Sequence, residues 1–445
     1  MWNCIKKHQT KIKKGFLVLM LMKEKIGILK KSFSNNKTIV KNIGWLSVLQ
    51  LANYGIPLLI IPIVTRALGV DSFGKASYAQ NIILYLTLII NYGFDFTANQ
   101  GIAINRNDRE KIVEIFWSVI NFKIILFIFS YLILGILYFF FDQVHNDPIS
   151  FFYASIINLG MILFPIWFFQ GMEEIKKMAV FNFLIRLIGA ILIIIFINSP
   201  KDYKLYNLIL SISYLAVGIF AFSYTIRKYK LHSINLYTLK FEIIKKGLPV
   251  FINNCFISLY YTFGVTYIGI QLTSNEVGLY SGCMKIMMAI LMLTTMPLST
   301  AIFPKMSRLF HENKGLAWTF FRKILVISSI IGVILGMIIF ITAPQIIQLF
   351  LGEPFLETTP YIRTMSVLPL LVMLATILTV QGLYGMQLQR FAPLVGGISG
   401  CTGLLLSLFL IPKHGIYGAI FAWIGAQIIE IITDSIILTI QKRRL

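Results

Sequence analysis

The sequence predicts an all-α membrane protein of about twelve transmembrane helices, arranged as two pseudo-symmetric six-helix lobes around a central cavity. Three observations predict it. The 445-residue chain is 57% hydrophobic and only 13% charged, with a mean hydropathy of +0.78. A soluble domain is nearer 45–50% apolar and about 25% charged, so this excess of apolar surface needs lipid to cover it. The apolar residues also come in long continuous runs, without the period-two alternation of a membrane barrel. Finally, the basic residues are distributed very unevenly between the connections. Helices are the expected spanning element, because an unpaired backbone group in hydrocarbon costs several kcal/mol.

Taken in order, residues 1–40 are basic, and their apolar run Gly15–Met22 is too short to span. It lacks the small-residue cleavage site of a signal peptide. We expect a cytoplasmic, partly amphipathic surface segment, with a true start at Met20 or Met22 as the alternative. Twelve apolar runs follow, at roughly 42–66, 75–104, 115–141, 149–170, 178–199, 204–226, 247–272, 277–303, 324–351, 359–385, 391–411 and 415–440. Each reaches the roughly 20 residues that a helix needs to cross a bilayer. Spans one to six form an expected N-lobe (41–226). A basic linker (227–246) and a C-lobe with a short basic tail (247–445) complete the chain. Pro57 and Pro62 in span one break backbone hydrogen bonds and favour a bend there.

The chain holds 40 Lys and Arg against 18 Asp and Glu, a net charge of +22. With the N-terminus in the cytoplasm, 20 of the 40 fall in cytoplasmic connections and the C-tail and 11 in the N-tail, against 6 on the opposite side and 3 within spans. This is the positive-inside pattern. It makes the charge a topology signal, reinforced by anionic lipid, rather than a nucleic-acid footprint. It favours a multi-pass chain with an even number of spans and both termini in the cytoplasm, and the bacterial inner membrane is the expected location. The four cysteines (Cys4, Cys255, Cys283, Cys401) and five histidines lie apart, and no metal or cofactor site is expected.

Two segments 204 residues apart resemble each other. Val70-Asp71-Ser72-Phe73-Gly74-Lys75-Ala76-Ser77 aligns with Ser274-Asn275-Glu276-Val277-Gly278-Leu279-Tyr280-Ser281, and Asn81 then falls on Lys285. Both follow a long apolar span and open the next. Parallel repeats of this kind place a substrate between two lobes that rock against each other.

Polar residues in the spans form stripes at helical spacing. Gln50, Asn53, Tyr54 and Pro57 share a face of span one. Ser77, Asn81, Tyr85, Tyr92, Asp95 and Asn99 do so on span two. Ser281, Lys285, Met292 and Ser299 share a stripe on span eight, as do Trp423, Gln427, Glu430 and Asp434 on span twelve. Helix–helix hydrogen bonding also uses such stripes, but four of them favour a hydrophilic cavity. Lys123, Arg186 and Lys285 lie about two turns inside their spans, and Arg66 ends span one. We therefore place Arg66, Lys123, Arg186, Lys285, Asn53 and Asn81 as substrate-cavity candidates. Asp95, Glu430 and Asp434 are candidates for ion coupling or charge pairing. A cavity with surplus positive charge suits an anionic substrate, since Arg binds phosphate bidentately. The competing readings are snorkelling, structural ion pairs and, for Arg66, interface anchoring.

Asn53-Tyr54-Gly55-Ile56-Pro57, Pro62, Thr65-Arg66-Ala67-Leu68-Gly69, Asp71, Phe73-Gly74 and Asn91-Tyr92-Gly93-Phe94 resemble the first two helices of the polysaccharide flippases. These are the O-antigen and capsule repeat-unit translocases of the multidrug/oligosaccharidyl-lipid/polysaccharide exporter superfamily. Glu276–Ser281 with Lys285 resembles the start of their eighth helix. The resemblance runs in layout from about residue 37 to the end, and the long basic N-tail departs from it. It implies a MATE-like fold, a cationic central cavity and flipping of undecaprenyl-pyrophosphate-linked oligosaccharide from cytoplasm to periplasm. A polysaccharide polymerase and a chain-length regulator are the protein partners that such a pathway implies.

Three other readings compete. A drug or cation antiporter of the same superfamily wants an acidic cavity, yet spans one and seven hold no Asp or Glu. A flippase for the lipid-linked peptidoglycan precursor is a close relative. A polysaccharide polymerase or ligase, the enzyme alternative, needs a large periplasmic loop. The longest inter-span connection here is 227–246, on the cytoplasmic side.

Overall fold

The computed structural model describes residues 55–231 and 240–444. Among these the chain is helical throughout, with no strand. The long helices are α1 (Ile56–Asn91), α2 (Phe94–Ile104), α3 (Arg109–Phe140), a short α4 (Asp142–His145), α5 (Pro148–Ser155), α6 (Ile157–Leu163), α7 (Ile166–Gly171), α8 (Ile175–Phe196), α9 (Tyr203–Tyr229), α10 (Phe241–Gln271), α11 (Ser274–Glu312), α12 (Lys314–Phe350), α13 (Thr359–Met365), α14 (Leu368–Thr376), α15 (Ala392–His414) and α16 (Ile416–Arg444). Among the described residues nine stretches are long and apolar enough to cross a membrane, or eleven if two bent pairs each count as one span. One of the nine, Ile56–Ile104, has 49 residues. At 1.5 Å per residue it would reach about 73 Å, more than twice the roughly 30 Å hydrocarbon core, so it cannot be one straight crossing. It is broken where the sequence places the first turn, at Gly69, whose φ of 68° is outside the helical region. The expected bend at Pro62 is not where the backbone departs from helix. Pro57 lies in the first described turn of α1. The beginning of span one, the N-terminal segment and part of the 227–246 linker lie outside the described residues.

Other breaks follow local chemistry. Span four is three short helices, with Pro165 before the last of them. Span ten bends by 47° between Glu353–Met365 and Leu368–Tyr384, and its second part ends in a π-helical turn, Ile377–Tyr384. The α10 helix bends by 52° between Phe241–Ser258 and Tyr261–Gln271. Asp108 caps α3 by accepting from the Lys111 N–H at 3.1 Å, which holds its carboxyl below the usual carboxylate range.

The packing differs between the two ends of the bundle. At the end carrying the 69–75, 197–203, 272–274 and 351–358 connections, one continuous apolar core joins both halves of the chain. It includes Leu68, Phe73, Ile197, Val277, Tyr280, Leu351 and Phe355. At the opposite end the halves have separate cores. One contains Phe94, Ile102, Phe116 and Trp167, and the other Met306, Phe321, Leu383 and Leu438.

Two glycines close the joined end. A Cβ on Gly74 would lie 1.8 Å from the Ser274 carbonyl oxygen, and a Cβ on Gly278 would lie 2.2 Å from the Val70 carbonyl oxygen. Gly74 aligns with Gly278, and Val70 with Ser274, in the internal repeat. The contact is therefore reciprocal, as across a two-fold axis. Only residues without a side chain allow the two helix starts to approach this closely.

The ends of the 227–246 linker are pinned to α3. Arg109 donates to the Lys230 carbonyl at 3.0 Å and Trp117 Nε1 to the Leu231 carbonyl at 3.1 Å. Lys240 pairs with Glu114 at 2.7 Å, and its N–H donates to Ser118 Oγ at 2.7 Å. The first segment of α10 leans the same way, since Phe251 stacks on Tyr92 with ring centroids 5.0 Å apart. With Gly93 packed against Val250 and Gly247, this makes the start of α10 a cross-half contact at the end where the cores are separate.

Candidate functional site

Between the joined end and the divided end lies a cavity of about 480 Å³. Its height follows from the helices that build it. The first segment of α1 lines it from Pro57 to Ile61, and the segment beyond Gly69 from Ser77, one turn beyond Gly74, to Thr87; on α11 it begins at Ser281, one turn beyond Gly278, and reaches Ala289. Both halves of the chain therefore supply its wall, with α6, α8, α9 and α10 filling the sides through Met161, Arg186, Tyr214 and Thr262.

Two cations face it. Lys285 is half-buried and donates to Ser77 Oγ at 3.2 Å and Gln80 Oε1 at 3.3 Å, both from the other half of the chain. Its ammonium also lies 4.5 Å from the Phe73 ring centroid, a cation–π distance. Gln80 is held in turn by Asn207, which accepts at 2.8 Å and donates to Ser150 Oγ at 3.1 Å. Across the cavity, Arg186 donates through Nε to Asn182 Oδ1 and through Nη1 to Tyr214 Oη at 2.7 Å. Its guanidinium carbon sits 4.0 Å from the Tyr214 ring centroid. Asn182 and Arg186 are four residues apart on α8, so they meet on one helical face. Among the described residues the lining holds no Asp or Glu, and neither cation is ion-paired with a described carboxylate. Half-buried cations held only by neutral groups favour an incoming anion.

Of the residues singled out by sequence, the structure brings Arg186, Lys285 and Asn81 to this cavity. Asn81 donates to the Thr262 carbonyl at 3.1 Å and to Thr266 Oγ1 at 2.7 Å, bridging the halves. Five others stand elsewhere. Arg66 is exposed at the joined end and donates to the carbonyls of Gln348 and Leu349 at 3.0 and 3.2 Å. It thus caps α12, whose last carbonyls have no partner within the helix. Lys123 is 1% exposed and lies behind the cavity wall, on Asn91 Oδ1 and the Met161 carbonyl at 3.3 and 3.4 Å. Asp95 is exposed in the first turn of α2. Glu430 accepts from Gln427 at 3.1 Å, and Asp434 is fully buried in the C-terminal half and accepts from Thr379 Oγ1 at 2.6 Å. Neither lines the cavity. Asn53 lies outside the described residues.

Sequence reasoning missed Gln80, Asn207 and Tyr214. Asn207 and Tyr214 stand seven residues apart on span six, one helical face, which was the available signal. Gln80 neighbours Asn81 but falls off the stripe on which Asn81 was read.

Comparison with known proteins adds three findings. The family described as polysaccharide biosynthesis protein matches residues 39–310, more than half of the chain. A protein of Escherichia coli (strain K12), named provisionally as an O-antigen transporter, is 28% identical over 408 residues, covering 91% of this chain and 96% of that protein. Among solved structures, an inward-facing multidrug resistance MATE family transporter of the MOP superfamily superposes with a TM-score of 0.66 at 16% identity, covering 91% of this chain and 98% of that one. The lipid II flippase MurJ, in an inward closed conformation, gives a TM-score of 0.67 at 13% identity, covering 88% and 86%. These two likenesses establish a MATE/MurJ-like fold.

Proposed function

We propose, from the premise that the chain belongs to the polysaccharide biosynthesis protein family, that it is a flippase moving undecaprenyl-pyrophosphate-linked oligosaccharide units from the cytoplasmic to the periplasmic face of the inner membrane. The observation that carries this reading is the pair Arg186 and Lys285, facing one cavity that both halves build and that holds no carboxylate. A drug or cation antiporter would need the opposite polarity there. The relative in Escherichia coli, named as an O-antigen transporter, supports the substrate class.

In this reading the chain works as two lobes, 41–226 and 247–445, around a pseudo-two-fold axis, and the reciprocal contact of Gly74 and Gly278 supports that symmetry. The pinning of residues 240–251 onto α3 and Tyr92 makes the start of span seven an arm that reaches across to the N-lobe. The positive-inside distribution assigns the divided end to the cytoplasm and the joined end to the periplasm. The structure then represents a state closed to the periplasm.

The chemistry of the cavity links binding to opening. Lys285 spends its hydrogen bonds on neutral Ser77 and Gln80 of the opposite lobe. A diphosphate offers charged acceptors, whose hydrogen bonds are roughly twice as strong as neutral ones. Lys285 leaves Ser77 and Gln80 for the substrate, and a cross-lobe tie one to two turns from the glycine contact is released. The oligosaccharide occupies the polar part of the cavity, and the polyprenyl tail stays in lipid.

The test is a deletion strain in which lipid-linked units are assayed on each membrane face. Loss of surface polymer with complete single units held on the cytoplasmic face is the expected result. Single units accumulating on the periplasmic face would instead assign a polymerase or ligase, and unchanged polymer would remove the reading.

A further inference from the structure

Arg186 has a neighbour that faces the other way. Ile185 helps line a second depression of about 860 Å³ on the outside of α8 and α9. Its walls are Ile185, Ala216, Ile219 and Phe220, and its mouth is Tyr224, Arg227 and Lys228 in the last turns of α9. From Ala216 to Arg227 the helix rises about 16 Å, roughly half of a hydrocarbon core of about 30 Å. The groove is thus one leaflet deep, apolar from Ala216 to Phe220, with Ser223 beside the mouth, and cationic at one end.

The mouth is built rather than incidental. Lys228 pairs with Glu174, and its ammonium lies 5.7 Å from the Tyr224 ring centroid. Lys177 donates to Tyr224 Oη at 2.9 Å, so a third cation stands at the rim. Arg227 is exposed and makes no ion pair with a described carboxylate. Two lysines at one ring and Arg227 in the same lining, with Glu174 the carboxylate paired among them, leave surplus positive charge where the groove meets the headgroup region. Basic pockets between transmembrane helices bind anionic lipid headgroups for this reason.

We propose that the outer groove of α8 and α9 is a binding site for an anionic phospholipid, its phosphate on Arg227 and Lys228 and its acyl chains against Ala216, Ile219 and Phe220. The site lies on the outer face of the two helices whose inner faces carry Arg186 and Tyr214. A bound lipid therefore braces the cavity wall from behind.

The test uses the purified full-length chain in mild detergent, titrated with dioleoyl phosphatidylglycerol or dioleoyl phosphatidylcholine and read by native mass spectrometry. The expected result is preferential retention of one phosphatidylglycerol. Arg227→Gln with Lys228→Gln lowers that retention about tenfold or more, to the level of phosphatidylcholine, with an unchanged melting temperature. Ala216→Phe, which fills the groove without touching charge, lowers retention of both lipids. Millimolar inorganic phosphate leaves the bound lipid in place. Equal retention of the two lipids, an unaffected double variant, an unaffected Ala216→Phe variant or displacement by phosphate would each overturn the proposal.

Discussion

The two ends of the bundle are closed by opposite devices. At the joined end, backbone meets backbone: Gly74 on Ser274 and Gly278 on Val70, with Phe73 and Phe355 in edge-to-face contact alongside at 5.8 Å. At the divided end the halves keep separate cores, and the start of α10 links them more loosely: Phe251 stacks on Tyr92, and a Cβ on Gly93 or Gly247 would lie 3.3 or 3.2 Å from the facing carbonyl oxygen, against 1.8 and 2.2 Å at the joined end. A glycine contact has no rotamers with which to adapt, so it is made or lost as a unit. An aromatic stack on a bent helix can slide. The difference teaches that this state is locked at one end and only leaned upon at the other.

The comparison can be broken most directly at the glycines. Gly278→Ala or Gly74→Ala puts a methyl group into a backbone oxygen, which no side-chain movement relieves. We expect a cost at or above the 1–3 kcal/mol of ordinary overpacking. A cysteine at Leu68, 1% exposed in the present state, should become reactive to a membrane-impermeant thiol reagent. Unchanged reactivity in a folded variant would mean that the glycines are not the seal.

Next in size is the cavity. Lys285→Met and Arg186→Met each remove a charged hydrogen-bonding group worth about 1.5–3 kcal/mol. Surface polysaccharide should fall about tenfold or more at normal protein level. Arg186→Lys should rescue only in part, because Lys lacks the planar fork. Full activity in both Met variants would show that the cavity is not the substrate route.

Phe251→Ala should cost about 0.5–1.5 kcal/mol, the worth of one aromatic pair. Hydrogen exchange should rise across 241–258 and stay unchanged across 70–80, which would sharpen the contrast between the ends. The smallest effect is expected for Arg66→Ala. A helix-end cation contributes about 0.3–1 kcal/mol, so transport should persist. Loss of transport would return Arg66 to the substrate path.

Much of this was legible in the sequence, for identifiable reasons. Apolar runs mark spans because lipid imposes their length. The turn at Gly69 and the 70–77/274–281 repeat are local patterns. Arg186, Lys285 and Asn81 could be found because a polar residue deep in a span must face something wet. Helical period gives a face, however, and not its partner. Lys123 also lies on the inner face of its span, but that face packs behind the cavity wall. Arg66 reaches carbonyls 282 residues away along the chain. The roles of Gln80 and Asn207 exist only once α1, α5 and α9 have come together.

The most direct test of the account follows access to the cavity floor. A single cysteine at Ser77, in a background lacking the native cysteines, would be probed with an impermeant thiol reagent from each side of oriented membranes. The account expects labelling from the cytoplasmic side, little from the periplasmic side, and a gain of periplasmic labelling when Gly278→Ala is added. Equal labelling from both sides of the parent, or no gain from the added methyl group, would contradict it.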